Sequence, residues 1–198
     1  MPQVDGIGNG AGSEPASRKD KQLLWTAPHL VLDGLQLAAE AVGTTRAYLY
    51  VHAHPGLPEQ LGSALAARAA AGLDRARVQL VTAPPRFLAG EESAVVSRIN
   101  GGPALPRFKV PPVFQRGVGG APTLVQNVET LAHLAQIARY GASGFRAAGT
   151  PAEPGTMLAT CWRADGTVEV VDGECSATSH RPFLPVPAGV PASQADWI

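Results

Sequence analysis

Ala47-Tyr48-Leu49-Tyr50-Val51-His52, the alanine-rich run from Pro58 to Ala71, and Arg77-Val78-Gln79-Leu80-Val81-Thr82 decide the fold of this chain. The first and last stretches are short, apolar and rich in aromatic and β-branched residues, as buried strands are. Between them the alanines favour a helix, and Gly72 stops it. Strand, crossover helix and strand at this spacing form a βαβ unit, so the two strands should run parallel. The expected class is α/β with a parallel sheet, and ligands are expected beyond the carboxyl ends of its strands.

Outward from that unit, Pro28 to Val42 reads as the clearest helix. Pro28 suits a first helical position, Leu30, Leu37 and Ala38 share a face, and Gly43 ends it. Ser17 to Trp25 reads as a short helix with Asp20 in its first turn. Ala83-Pro84-Pro85 breaks the second strand, and Gly90 turns the chain into a short helix from Glu91 to about Ile99. Gly101 to Gly120 is expected to be an ordered loop, and Asn127 to Tyr140 a helix capped by Asn127 and closed at Gly141. Residues 1–16 are polar and glycine-rich and are expected to be loop. Thr167 to Val171 reads as one strand of a hairpin turned at Asp165-Gly166, and from Gly173 onward the prolines and scattered polar residues suggest a poorly ordered tail. The expected organisation is thus loop over 1–16, an α/β domain over 17–150, and a β-like segment with a disordered tail over 151–198.

Composition excludes several classes. In 198 residues, sixteen basic and sixteen acidic side chains cancel to a formal charge of zero, so no broad basic surface for nucleic acid is implied. No apolar run approaches the ~20 residues that span a bilayer, and the start carries no signal-peptide pattern. Cys161 and Cys175 are the only cysteines, which suits a reducing cytoplasm.

Three motifs carry the chemistry. Gly6-Ile7-Gly8-Asn9-Gly10-Ala11-Gly12 looks like a phosphate-cradling loop, but too short and too polar a segment precedes it for a dinucleotide fingerprint. Taken alone it is a flexible N-terminus. In Phe87-Leu88-Ala89-Gly90-Glu91-Glu92-Ser93, two neighbouring carboxylates stand at a helix start, where unpaired N–H groups and the macrodipole stabilise them. Spacing alone makes them an ordinary charged N-terminus. In Pro122-Thr123-Leu124-Val125-Gln126-Asn127-Val128-Glu129-Thr130, an N-cap with an acid in the first turn explains the local pattern. The remaining candidates carry little. His29 and His133 read as structural, and His52 and His54 lack neighbouring ligands at metal spacing. Cys161, Cys175 and His180 are irregularly spaced in the tail, and no nucleophile elbow appears.

Taken together, from about Asn9 to about Leu158, these motifs resemble the family of flavoprotein subunits of NADH:quinone oxidoreductase, respiratory complex I. The resemblance implies a three-layer FMN-binding domain in which hydride passes from NADH to FMN and electrons move on to an iron–sulfur centre. It implies that Asn9 hydrogen-bonds the flavin and that Glu14 faces the nicotinamide. Phe87 and Gly90 lie against the flavin. Glu91 or Glu92, with Glu92 preferred, accepts from the ribose hydroxyls of NADH and disfavours a 2′-phosphate. Lys109 and Phe114 belong to a loop over the nucleotide, and Val125, Gln126 and Asn127 meet the flavin's phosphate and ribityl region. Gly12 stands where the family usually carries an acid, and Gln126-Asn127 where it commonly has two asparagines. No acid/base residue is required, because the cofactors carry the chemistry.

The family's main flavin-phosphate loop lies ahead of the segment matching Asn9, and its iron–sulfur cysteines lie after the segment matching Leu158. Two cysteines cannot supply four thiolates, so no iron–sulfur cluster is expected here and the chain alone is expected to be a poor or inactive oxidoreductase. Expected partners are NADH and the other subunits of a membrane-bound or soluble redox complex, in the cytoplasm or on the inner face of the cell membrane. There should be no direct membrane insertion and no nucleic acid. The same motifs suit the flavin-bearing subunit of an NAD-linked hydrogenase or formate dehydrogenase, and a non-catalytic remnant without flavin is the reading from another class.

Overall fold

The computed structural model describes residues 4–12, 17–108, 110–162 and 167–174. Four strands make one sheet: β1 (Asp5–Gly10), β2 (Arg46–His52), β3 (Arg77–Ala83) and β4 (Thr123–Asn127). All are parallel, in the order β3-β2-β1-β4. The βαβ unit is as expected, with α3 (Leu57–Ala70) crossing from β2 to β3. α1 (Lys19–Thr26) and α2 (Pro28–Ala41) connect β1 to β2, while α4 (Glu92–Ile99) and an irregular stretch connect β3 to β4. α5 (Val128–Arg146) follows β4. Its regular course ends where the sequence predicts, because Gly141 adopts φ +74° and interrupts the helical dihedrals.

Two elements differ from the expectation. Asp5–Gly10 lies within the stretch read as loop, yet it is an inner strand of the sheet, hydrogen-bonded to β2 on one side and β4 on the other. Gly6, Gly8 and Gly10 alternate along it and all face the helices. A Cβ on Gly8 would lie 3.0 Å from the Leu131 side chain, and one on Gly10 would lie 2.6 Å from Leu24. The strand has its period of two, but glycine writes it, so no apolar alternation shows. Thr123–Asn127 is likewise a strand, where the sequence suggested only a helix cap.

The sheet is covered on both faces. One face carries α1, α2, α3 and α5 around Leu24, Val31, Leu32, Leu35, Leu49, Val51, Leu61 and Leu131. The other packs Ile7, Tyr48 and Tyr50 against Ala89, Val95 and Val96 of the α4 region and Val113 and Val118 of the loop. Burial of each large apolar side chain contributes roughly 1.5–3 kcal/mol. This is the three-layer α/β arrangement expected. α2 and α5 touch backbone to backbone, since a Cβ on Gly34 would fall 1.8 Å from the Leu131 carbonyl oxygen.

β5 (Thr156–Trp162) and β6 (Val168–Glu174) form an antiparallel hairpin, as expected, and Leu158 and Val170 join the core on the α5 side. Gly173 and Glu174, expected at the start of the tail, belong to β6. The expected hairpin turn and the rest of the tail, with Cys175 and His180, lie outside the described residues.

Candidate cofactor site

In the order β3-β2-β1-β4 the chain builds outward from β1 in one direction and then returns to its other side. The crevice beyond the carboxyl ends of β1 and β4 is therefore the topological switch point, where open α/β sheets bind ligands. Asn9 and Asn127 occupy those two ends and face each other in register. Asn9 Nδ2 donates to the Gly90 carbonyl at 2.9 Å, and Asn9 Oδ1 accepts from the Ala11 N–H at 3.2 Å. Three segments that the sequence analysis singled out separately thus meet at one point.

The Gly90 segment is anchored from below. Tyr50, wholly buried, donates its hydroxyl to the Ala89 carbonyl at 3.0 Å, and burial pushes its pKa up to about 12. The residues Phe87–Gly90 make one 3₁₀ turn, after which the two glutamates part. Glu91 is the N-cap of α4, and its Oε2 accepts from Ser93 N at 2.9 Å, Ala94 N at 3.2 Å and Ser93 Oγ at 2.5 Å. Glu92 is exposed and lines a cavity of about 540 Å³ between α4 and the 107–120 loop, together with Ser97, Asn100, Arg107, Phe108 and Arg116. Phe87 is 57% exposed. Phe114 is 66% exposed and lies apart from the cavity wall, where Phe108 stands instead. Val125 and Gln126 are half-buried along β4, in register with Ile7 and Gly8. Glu14 and Lys109 lie outside the described residues.

Asn127 is tied to the protein rather than left open. Its Oδ1 accepts from Glu129 N at 2.8 Å, its Nδ2 donates to Asp20 Oδ2 at 2.9 Å, and the Asn9 carbonyl is 3.5 Å away. Lys19 bridges Asp20 and Glu129, at 2.7 Å from each. Burial works against the Lys19 charge, but the two carboxylates outweigh it and hold its pKa above the ordinary value. The α5 N-terminus, which the sequence offered to a phosphate, is on this side already met by the protein's own carboxylates. At the end of β2, burial and Lys21 push the His52 pKa down while the Gly12 and Pro84 backbone hydrogen-bonds the ring. Lys19, Asp20, Arg107, Phe108 and Arg116 were not among the expected site residues. Asp20 was visible only as a first-turn acid of α1, and its partners lie in remote elements.

The Nuo51 FMN-binding domain model matches residues 7–136, which takes in both strand ends and the Gly90 segment. The chain belongs to this family. Among its relatives, the NAD-reducing hydrogenase HoxS subunit alpha of Cupriavidus necator is 34% identical over 184 residues, covering 86% of this chain and 28% of that protein. An NADH-quinone oxidoreductase subunit of Rickettsia typhi is 31% identical over 160 residues, covering 76% of this chain and 38% of the relative. A crystal structure of an NAD+-reducing NiFe-hydrogenase in the H2-reduced state superimposes with a TM-score of 0.73 at 36% identity, over 80% of this chain and 28% of that one. The chain therefore spans about a third of the length of the relatives it matches.

The polar groups gathered at the β1 and β4 ends suit the polar ring of FMN, which gives the family its description. Among the described residues, Asn9 Nδ2 has the Gly90 carbonyl as its one partner, and an amide nitrogen carries two N–H groups. Gly90, whose carbonyl Asn9 meets, carries no side chain. No helix among the described residues is long and apolar enough to cross a membrane.

Proposed function

We propose that this chain carries the FMN- and NADH-binding domain of a flavoprotein subunit, of the NADH:quinone oxidoreductase kind, working within a multi-subunit redox complex. The observation that carries the reading is the junction of Asn9, Asn127 and Gly90 at the switch point, inside the segment matching the FMN-binding family. Bound FMN supplies hydride acceptance from NADH and one-electron delivery to an iron–sulfur centre of the complex. Asn9 donates its remaining N–H to the flavin ring, and Gly90 lets the ring approach the backbone. Phe87 shields the outer side, while Val125, Gln126 and Asn127 form the β4 wall. Glu92 accepts from the ribose hydroxyls of NADH at the mouth of the 540 Å³ cavity and disfavours a 2′-phosphate. The family resemblance assigns Glu14 and Lys109 to the nucleotide side, Phe108 takes the place expected of Phe114 on the cavity wall, and Glu91 caps α4.

The partner subunits and a place on the inner face of the cell membrane belong to the same proposal. A hydrogenase assembly is the second reading, favoured by the 34% identity to the HoxS protein across 86% of the chain. Fluorescence-quenching titration of the purified chain with FMN tests the site. Micromolar or tighter binding, weakened about tenfold by Asn9→Ala, is expected; a folded chain that binds no FMN refutes the reading. Glu92→Gln should then weaken NADH binding and narrow the preference for NADH over NADPH, with FMN affinity unchanged.

A further inference from the structure

Asp20 is 5% exposed, lies on α1 eight positions after Gly12, and sits beside the exits of β1 and β4. Its Oδ2 accepts from the Asn127 amide at 2.9 Å, and the same oxygen lies 3.3 Å from where a Cβ on Gly12 would stand. Its Oδ1 meets Lys19 at 2.7 Å, and Lys19 reaches Glu129 at 2.7 Å. Glu129 Oε1 in turn accepts from the Leu158 N–H of β5.

We propose that Asp20, held by Lys19, is the positioning residue of the cofactor crevice, setting the Asn127 amide so that the β1 and β4 ends keep a fixed separation and polarity. The inference rests on the flavin reading above. An amide has two distinct ends. A carboxylate at position 20 can only accept, so Asn127 must turn its NH2 toward α1 and its oxygen toward the α5 N–H. Its NH2 then spans Asp20 and the Asn9 carbonyl, which draws the two strand ends together. Lys19 pairs with Asp20 and aims it, and the Glu129 carboxylate on the same ammonium prevents that group from swinging out. Residue 20 thus decides the orientation of a group on the crevice wall without touching the ligand.

Asp20→Asn removes the pure acceptor and sets two NH2 groups against each other, or against Lys19. FMN affinity should fall about tenfold while the melting temperature stays within a few degrees. The exchanged pair Asp20→Asn/Asn127→Asp restores donor to acceptor, keeps an N-cap competent for α5 and leaves Lys19 an oxygen. It should recover part of the lost affinity, stopping about threefold short of the original because a carboxylate at position 127 has no N–H for the Asn9 carbonyl. Unchanged FMN affinity in Asp20→Asn overturns the proposal. Equal loss in the single and exchanged variants also overturns it, since Asn127 would then serve through its own N–H groups. Should the unmodified chain bind no FMN, the flavin reading fails separately, and side-chain amide NMR decides the positioning. Asn127 Nδ2 protons protected from exchange in the original and released in Asp20→Asn sustain it, and unprotected protons in the original overturn it.

Discussion

Replacing Gly34 by alanine should destabilise the chain although alanine is the better helix former. In α2 the exchange gains about 1 kcal/mol of helix propensity. Against that stands the 1.8 Å from the added Cβ to the Leu131 carbonyl oxygen, with the Leu131 carbonyl carbon at 2.4 Å and Cα at 2.9 Å. These are backbone atoms, so no rotamer change relieves the overlap. α2 and α5 must move apart by about an ångström or more, and Val31, Leu35 and Leu131, all essentially buried, lose contacts across the gap. Overpacking of this kind costs ~1–3 kcal/mol and sometimes more. With the opened interface added, the net loss should be about 2–3 kcal/mol, or roughly 5–10 °C in Tm. The internal control is Gly62→Ala in α3, where an added Cβ meets nothing within 4 Å. That variant should gain about 0.5–1 kcal/mol. Urea denaturation of both variants measures the difference. Gly34→Ala at or above the stability of the original chain would refute the close helix contact. Because α5 starts at the Asn127 cap, the same variant should also weaken FMN binding, whereas Gly62→Ala should not.

Other tests address polar groups that the fold buries. Arg46 makes a two-pronged pair with Asp5, at 2.5 and 2.7 Å, and Asp5 is wholly buried while the Arg46 side chain is 42% exposed. Arg46→Met should therefore cost about 3–5 kcal/mol by leaving a buried charge unpaired, and Asp5→Asn distinctly less; equal costs in chemical denaturation would contradict this. The Tyr50 hydroxyl is held neutral, with its pKa raised from 10.0 to about 12. The unfolded chain ionises first, so stability should be full below pH 10 and decline as pH rises toward 12. Tyr50→Phe should be less stable at pH 8 by ~1–2 kcal/mol, from the unpaired Ala89 carbonyl, yet show a flatter decline above pH 10; an unchanged slope would exclude Tyr50 as its source. His52, His54 and His133 all have pKa values lowered by burial. Their contribution to stability is complete above pH 6.5 and is lost as pH falls below it. Urea midpoints at pH 7.5 and 5.5 should show the loss, and His52→Gln should reduce it.

The parts of the fold legible in the sequence were those whose signal is local. β2 holds a contiguous apolar run from Ala47 to Val51, β3 carries Val78, Leu80 and Val81, and α2 carries its proline start and glycine stop within sixteen positions. β1 was illegible because glycines, which add nothing to hydrophobic periodicity, write its alternation. The glycine of position 8 is legible only beside Leu131 and Leu35. Among the described site residues, Glu91 and Glu92 are the same letter twice. Their separation into an α4 cap and a cavity wall depends on the extended dihedrals of Glu91, φ −67° and ψ 140°, which end the 3₁₀ turn before the helix begins.

By itself the sequence determined the helices and the β2 and β3 strands, the parallel sense of the βαβ strands and the membership in a flavin-binding family, since each rests on residues close together or on motifs in fixed order. Tertiary structure alone decided that β1 is an inner strand with β4 at its free side, and so where the switch point lies. It also decided that Asp20 and Asn127, 107 positions apart, share a hydrogen bond beneath the crevice. Such a bond depends on the packing of α1, α5 and the sheet together, and no local pattern of residues encodes that distance.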